Sequence, residues 1–448
     1  MILTACHKND VVDKVLVSNA NIVNVENGTI LFSKDIWIEN DHILKITPHN
    51  SKQKKSFITI DATGKYVIPG LWDMHTHIVD YDWVPKLYTA LGITGIRIMH
   101  GGSLVDSIVA NRKDGFFRGF EFLYAGPIVD GPGPNWPGTA IANNPEEGRR
   151  IVRLHHKKGY DFVKVYDKLD YDTYMAIADE CKSLNFPFAG HVPMSVTTEQ
   201  AIEVGQKSIE HSLGLELATT NPYCFNSKIN DSTFKTRGEI ISEFLHLYDS
   251  SLNSKFLAIT SGKNTWFCPT MVSHRNLAYA NDSLFRKDIR LKYIPKEEQD
   301  YWFGKDLEMP AYMESSKQYE EAEIDFYKLT LSSLKPMLQS GARFLAGTDT
   351  SNPNIYPGFS LHDELQLFVE AGFTELEALQ TATINPAIYA GREKELGTIE
   401  EGKIANLVIL EKNPLKNIKN TLSIIGVMRR GEYLNKEALI KLLDYNKN

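Results

Sequence analysis

Residues with metal-binding side chains recur in this chain at the ends of short apolar runs, and a fold that satisfies the pattern must bring those run ends together. The first run goes from Val67 to His77 and finishes His75, Thr76, His77. On a β-strand, residues i and i+2 point to the same side, so His75 and His77 face one way and Thr76 the other. Imidazoles so placed can share one metal ion, imidazole being the commonest side-chain ligand. The bland alternative is a pair of hydrogen-bonded core histidines. Four more runs argue against it. Lys164 sits in a strand-like segment, Phe186 to His191 and Lys207 to His211 end in histidine, and Ala342 to Asp349 ends in aspartate. The intervals from Lys164 to His191 and from His191 to His211 each fit one strand plus one helix. Consecutive parallel strands joined by helices would present all of these residues at one end.

This set resembles the amidohydrolase superfamily, in the branch of imidazolonepropionase-like proteins and metal-dependent Xaa-Pro or other Xaa-amino-acid dipeptidases. The resemblance covers nearly the whole chain. Pro69, Gly70 and Leu71 through His77 carry it, with the later order Lys164, His191, His211, Asp349 and the tail from Gly397 to Val408. It implies an α/β fold, a (β/α)8 TIM barrel with a small discontinuous β-sandwich domain drawn from both chain ends. It further implies a divalent metal centre and hydrolysis at a carbon bonded to nitrogen or another heteroatom.

The chain itself sorts into matching pieces. At 448 residues, with 42% hydrophobic and 23% charged residues, it can bury a large core and hold one big domain plus a smaller one. Short β-type runs broken by turn signals fill residues 13–66, and further β-type runs fill 397–437, so these stretches should form the small domain. Residues 67–396 alternate strand and helix patterns, with strands expected near Leu71, Ile96, Phe122, Val163, Phe188, Ser208, Trp266 and Leu345. Two stretches break the rhythm. Gly126 to Gly138 is too rich in Pro and Gly for regular structure and should shape the pocket, with Asn135 and Trp136 as contacts. His274 to Tyr327 is dense in aromatics and reads as a packed helical insertion or a lid.

The resemblance assigns roles. His75, His77 and Asp349 would hold a first divalent ion, and His191 and His211 a second, both expected to be zinc. Two such ions need an anionic bridge, and a protonated lysine cannot coordinate. In relatives with a lysine at this strand position carbon dioxide adds to the amine, so N6-carboxylated Lys164 is the expected bridge; a lysine paired with a carboxylate is the alternative. A shared water of lowered pKa would attack the substrate carbonyl, with Asp349 as acid and base. Tyr166 or His274 could steady the oxyanion, and His100 is a weaker substrate contact.

Some features limit the transfer. No glutamate closely follows His191, which lowers the deaminase reading. No obvious arginine or lysine marks a pocket for a substrate carboxylate, which leaves the peptidase assignment open, and nothing in the sequence supports Arg97 as a candidate beyond its charge. An inactive amidohydrolase-fold binding or assembly protein is the non-enzyme alternative, but every ligand-type position is filled. The expected partner is therefore a small molecule with an amide or lactam bond, and the protein is expected to be a homo-oligomer. A net charge of −7 argues against nucleic-acid binding. Cys6, Cys181, Cys224 and Cys268 lack the CxxC spacing of a thiolate zinc site. Leu3 to Cys6 has the form of a lipobox, making Cys6 a candidate lipid anchor and residues 1–12 a lipoprotein remnant, although too few residues precede it for a signal peptide. A lipidated chain would lie on the periplasmic side of the cell envelope; otherwise it would be cytoplasmic.

Overall fold

Strands enclosed on both faces must be apolar nearly throughout, and the apolar runs of this sequence become such strands. The computed structural model describes residues 14–51, 57–80, 82–110, 117–211, 214–220, 237–280, 282, 287–303 and 319–445; Cys6 and the tail around it lie outside them. Leu71–Thr76 and Ile93–Ile98 are buried at every position, as are Val163–Val165, Phe188–Gly190, Ser208–Glu210 and Trp266–Cys268.

These strands form a ring. Leu71–Thr76 pairs in parallel with Ile93–Ile98, and that strand with Glu121–Tyr124. A parallel bridge between Ala125 and Phe162 leads to Val163–Val165. Phe188–Gly190, Ser208–Glu210, Trp266–Cys268 and Arg343–Phe344 follow in order. A bridge from Thr350 back to Thr76 closes the circle. The result is the (β/α)8 barrel, each of the expected strands being present within a residue or so of its expected place. We refer to these strands as the first to the eighth.

Local sequence explains the joins. The helix Pro145–Lys158 starts at Asn144, whose side chain accepts from the Glu147 amide at 3.0 Å, with Pro145 as its first residue. It stops at Gly159, where φ is 77° and a side chain would be strained. Close packing inside the barrel also needs glycine, since a Cβ on Gly95 would lie 2.2 Å from the Trp72 ring.

Both chain ends meet in one eight-stranded sheet, in the order Glu432–Asn435, Ile424–Arg429, Leu407–Leu410, Tyr66–Pro69, Lys14–Val23, Ile30–Glu39, His42–Pro48, with Ile58–Asp61 beside Lys14–Val23. The layers expected of a sandwich are thus joined by hydrogen bonds. A bridge from His42 to Ile404 brings the far edge back, around a core that includes Val17, Ile36, Ile38, Val67, Leu407 and Ile409. Tyr66–Pro69 runs through Gly70 into the first barrel strand, so this sheet is anchored directly to the strand carrying His75.

The two irregular stretches are more ordered than their composition suggests. Val129–Asp130 and Ala140–Ile141 add short parallel strands beside Val165. Among the described residues of the aromatic-rich stretch lie the helices Met271–Ala278, Lys296–Phe303 and Glu320–Gln339. Its aromatics largely pack: Trp302 is buried against Tyr356, and Tyr293 stacks on Phe359 at 5.2 Å.

Candidate metal centre

The barrel carries its ligand-type residues at or just beyond the carboxyl ends of its strands, the face where such barrels build their sites. His75 is the last residue but one of the first strand and His77 follows it. Lys164 lies in the fourth strand, His191 follows the fifth, His211 the sixth, and Asp349 follows the eighth. Their rings converge. The His75 ring centroid is 5.5 Å from that of His77 and 4.5 Å from that of His211, which lies 4.7 Å from that of His191. Asp349 Oδ1 sits 3.2 Å from His77 Nε2 and 3.4 Å from His75 Nε2. His75, His211 and Asp349 present donor atoms that one cation could share.

His75, His191 and His211 are each turned by a partner that sequence reading missed. Glu210 Oε2 lies 2.9 Å from His75 Nδ1, and Asp167 Oδ1 lies 2.7 Å from His191 Nδ1. A carboxylate only accepts, so both Nδ1 atoms carry hydrogen, and in the neutral ring Nε2 is then the free lone pair. Those two Nε2 atoms are buried and have no hydrogen-bond partner. Orphaned acceptors of this kind are costly unless something occupies the space before them, and a cation suits them. The donor set therefore fits a metal. His211 Nδ1 pairs with Thr270 Oγ1 at 2.9 Å, and Asp349 Oδ2 accepts from Asn352 Nδ2 at 2.6 Å. Glu210 directly precedes His211, and Asp167 follows Lys164 within one strand end; proximity to a ligand was the only local signal for either.

Electrostatics follow from enclosure. Burial, then the charge of Lys164, push the His75 imidazole down to about 3, so the ring is neutral and its contact with Glu210 is a hydrogen bond rather than an ion pair. Burial also lowers the Lys164 ammonium, to about 8, against the pull of Glu210 and Asp349. For Asp349, burial alone would raise the carboxyl, but the hydrogen bond with His77 and the charge of Lys164 outweigh it and leave it lowered. Backbone strain concentrates here too. His211, Thr270 and Asp349 adopt left-handed φ values of 58°, 47° and 64°, at a typical cost of roughly 1–3 kcal/mol each.

The secondary candidates separate. The Tyr166 ring lies 4.0 Å from that of His191, and its hydroxyl accepts from Trp136 Nε1 at 2.7 Å, which fastens the Pro/Gly-rich loop over the site. His274 is buried beside His211 and close enough to Asp349 to feel its charge. His100 accepts from the Ile128 amide at 3.2 Å, and burial followed by the charges of His77 and Lys164 lowers it to about 4. Asn135 is exposed on the loop. Arg97 is not available to a substrate: it is fully buried and hydrogen-bonded to Glu210.

The arrangement is thus a (β/α)8 barrel with a small sheet from both chain ends and a cluster of histidines, a lysine and an aspartate at its strand ends. Residues 323–434 match the Amidohydrolase family. Imidazolonepropionase of Thermoplasma volcanium is 24% identical over 396 residues, which are 86% of this chain and 84% of that protein. Ochratoxinase of Aspergillus niger is 37% identical over 91 residues, 20% of this chain, so only 18% of that relative is spanned. Among solved structures, the bottromycin amidohydrolase superposes with a TM-score of 0.76 at 20% identity, covering 96% of this chain and 89% of that one. These likenesses support the amidohydrolase superfamily.

Proposed function

We propose that the protein is a metal-dependent hydrolase of carbon–nitrogen bonds, acting on a small molecule with an amide, peptide or cyclic amide group. The observation that carries the reading is the pair of buried, unpartnered Nε2 atoms of His75 and His191 facing a cluster that also holds His77, His211, Lys164 and Asp349. Relatives named ochratoxinase, imidazolonepropionase and N-substituted formamide deformylase support carbon–nitrogen hydrolysis. His75, His77 and Asp349 would hold one divalent ion, His191 and His211 a second, with zinc the expected metal. Bound ions supply Lewis-acid activation of water and of the substrate carbonyl.

The chain's own groups do the rest. The Lys164 amine, lowered to about 8 by burial, has a larger neutral fraction near neutral pH than an ordinary lysine. The neutral amine adds to carbon dioxide, forming a nitrogen–carbon bond and losing one proton, and the resulting carbamate would be an anion able to bridge the two ions. Asp349, ionised and held by Asn352, accepts a proton from the attacking water and returns it to the leaving nitrogen. Tyr166, whose oxygen accepts from Trp136, keeps its own hydroxyl proton to donate to the developing oxyanion.

Lys164→Ala tests the reading. The variant should lose at least one ion and most turnover, with partial recovery of both on adding a short carboxylic acid such as acetate or propionate. A variant that keeps full metal and full turnover would reduce Lys164 to a strand residue.

A further inference from the structure

The barrel encloses a buried ion pair for which the reaction has no direct use. Arg97, on the second strand, and Glu210, on the sixth, are both enclosed, at 0% and 2% exposure. Arg97 Nη2 donates to Glu210 Oε1 at 3.0 Å and Oε2 at 2.8 Å. Its Nη1 donates to Ser208 Oγ at 2.6 Å and to the Tyr389 hydroxyl at 2.9 Å, and its Nε to the Met74 carbonyl at 2.5 Å. Ser208 Oγ in turn donates to Glu210 Oε1 at 2.5 Å. With His75 Nδ1 on Oε2, each Glu210 oxygen accepts two hydrogen bonds.

That count decides between two roles. Glu210, His75 and Cys268 also bring donor atoms close enough to be a metal-binding group. A carboxylate offers about four lone-pair sites, and all of them are in use. His75 Nδ1 is likewise committed. An ion at this position would have to break the Arg97 pair, and leaving such a charge buried without its partner is strongly unfavourable.

We infer that Arg97 and Glu210 are positioning residues. Arg97 clamps Glu210, and Glu210 holds the proton on His75 Nδ1, so that the Nε2 lone pair is presented to the ion. Only the planar guanidinium fork fits the task, because it meets Glu210, Ser208, Tyr389 and the Met74 carbonyl at once. The inference rests on the metal-centre reading above, and it adds that neither Glu210 nor Cys268 is a ligand.

The test uses the full chain. In metal-free wild-type protein labelled with 15N-histidine, the His75 resonance, identified by its loss in His75→Asn, should report hydrogen on Nδ1; hydrogen on Nε2 overturns the inference. Zinc affinity is then measured by competition with a chelator for wild type, Glu210→Gln and the charge-free pair Arg97→Met with Glu210→Gln. The pair is included because Glu210→Gln alone strands the arginine. Both variants should bind zinc about 10–100-fold more weakly, the usual effect of losing a carboxylate behind a ligating histidine. A folded double variant with wild-type affinity would mean the ion pair is only structural, and overturns the inference. Cobalt-substituted wild type should lack a sulfur-to-metal charge-transfer band. Such a band, abolished in Cys268→Ser, would also overturn it. Wild-type protein that binds no zinc or cobalt would instead defeat the underlying reading.

Discussion

Replacing Asp349 by asparagine tests the proton-transfer step with little change of shape. The carboxylate is used at both oxygens. Oδ1 faces His77 and His75 at 3.2 and 3.4 Å, and Oδ2 takes the Asn352 amide at 2.6 Å. An asparagine amide has two ways to sit here, and each conflicts. With its NH2 at the Oδ2 position it meets the Asn352 NH2, donor against donor. With its NH2 at the Oδ1 position it donates toward the histidine Nε2 lone pairs that a metal would need. Neither orientation can accept and return a proton near neutral pH. Loss of a positioned acid–base group typically costs about 10²–10⁴-fold in rate, equivalent to roughly 3–5 kcal/mol of barrier. The assay is kcat/KM on a substrate found by screening dipeptides, N-acyl amino acids and lactams. Metal content is measured on the same preparation at saturating zinc. Near-wild-type turnover by a metal-loaded Asp349→Asn would refute the reasoning and move the proton shuttle to another group.

Gly347→Ala should disrupt the centre without replacing a ligand, because its Cβ would lie 2.5 Å from Cys268 Sγ and 2.7 Å from the His75 amide. Overpacking of this kind costs about 1–3 kcal/mol, so denaturant unfolding should show that loss together with weakened zinc binding, and an unchanged midpoint and affinity would contradict it. Stability should also depend on pH through His362, fully buried, with Nε2 on the Leu91 carbonyl at 3.0 Å and its imidazole lowered to about 4 by burial. The folded-state value lies below the unfolded one of about 6.5, so the unfolded chain takes up the proton first. The contribution, up to about 3 kcal/mol, is full above the unfolded value and is lost as pH falls through the folded one. Denaturant unfolding of His362→Gln between pH 7 and pH 4 should show a flatter pH dependence, and an identical slope would rule His362 out.

The barrel was legible because parallel strands buried on both faces leave apolar runs such as Leu71–Thr76, and because residues able to bind metal recur at the ends of those runs. The partners of those residues were not. Arg97 and Glu210, one a nondescript strand arginine and the other simply the residue before His211, are joined only by the closed ring, and no periodicity in the sequence marks a pairing across it. Arg97 therefore had only its charge to suggest a substrate contact, until burial and its bond to Glu210 removed it. The loop from Gly126 to Gly138 hid its strand at Val129–Asp130 because two residues among prolines and glycines carry no pattern. Thr270 was invisible for another reason: its left-handed φ of 47° is imposed by the fold, and nothing in a threonine announces it.

The central claim is that these side chains form a metal centre bridged through Lys164, and the most direct measurement is the metal content of purified protein reconstituted with zinc and bicarbonate. The account predicts about two zinc ions per chain in wild type, falling by at least one in Lys164→Ala while the fold is retained. Wild-type protein that holds no zinc, manganese or cobalt after such reconstitution would contradict it.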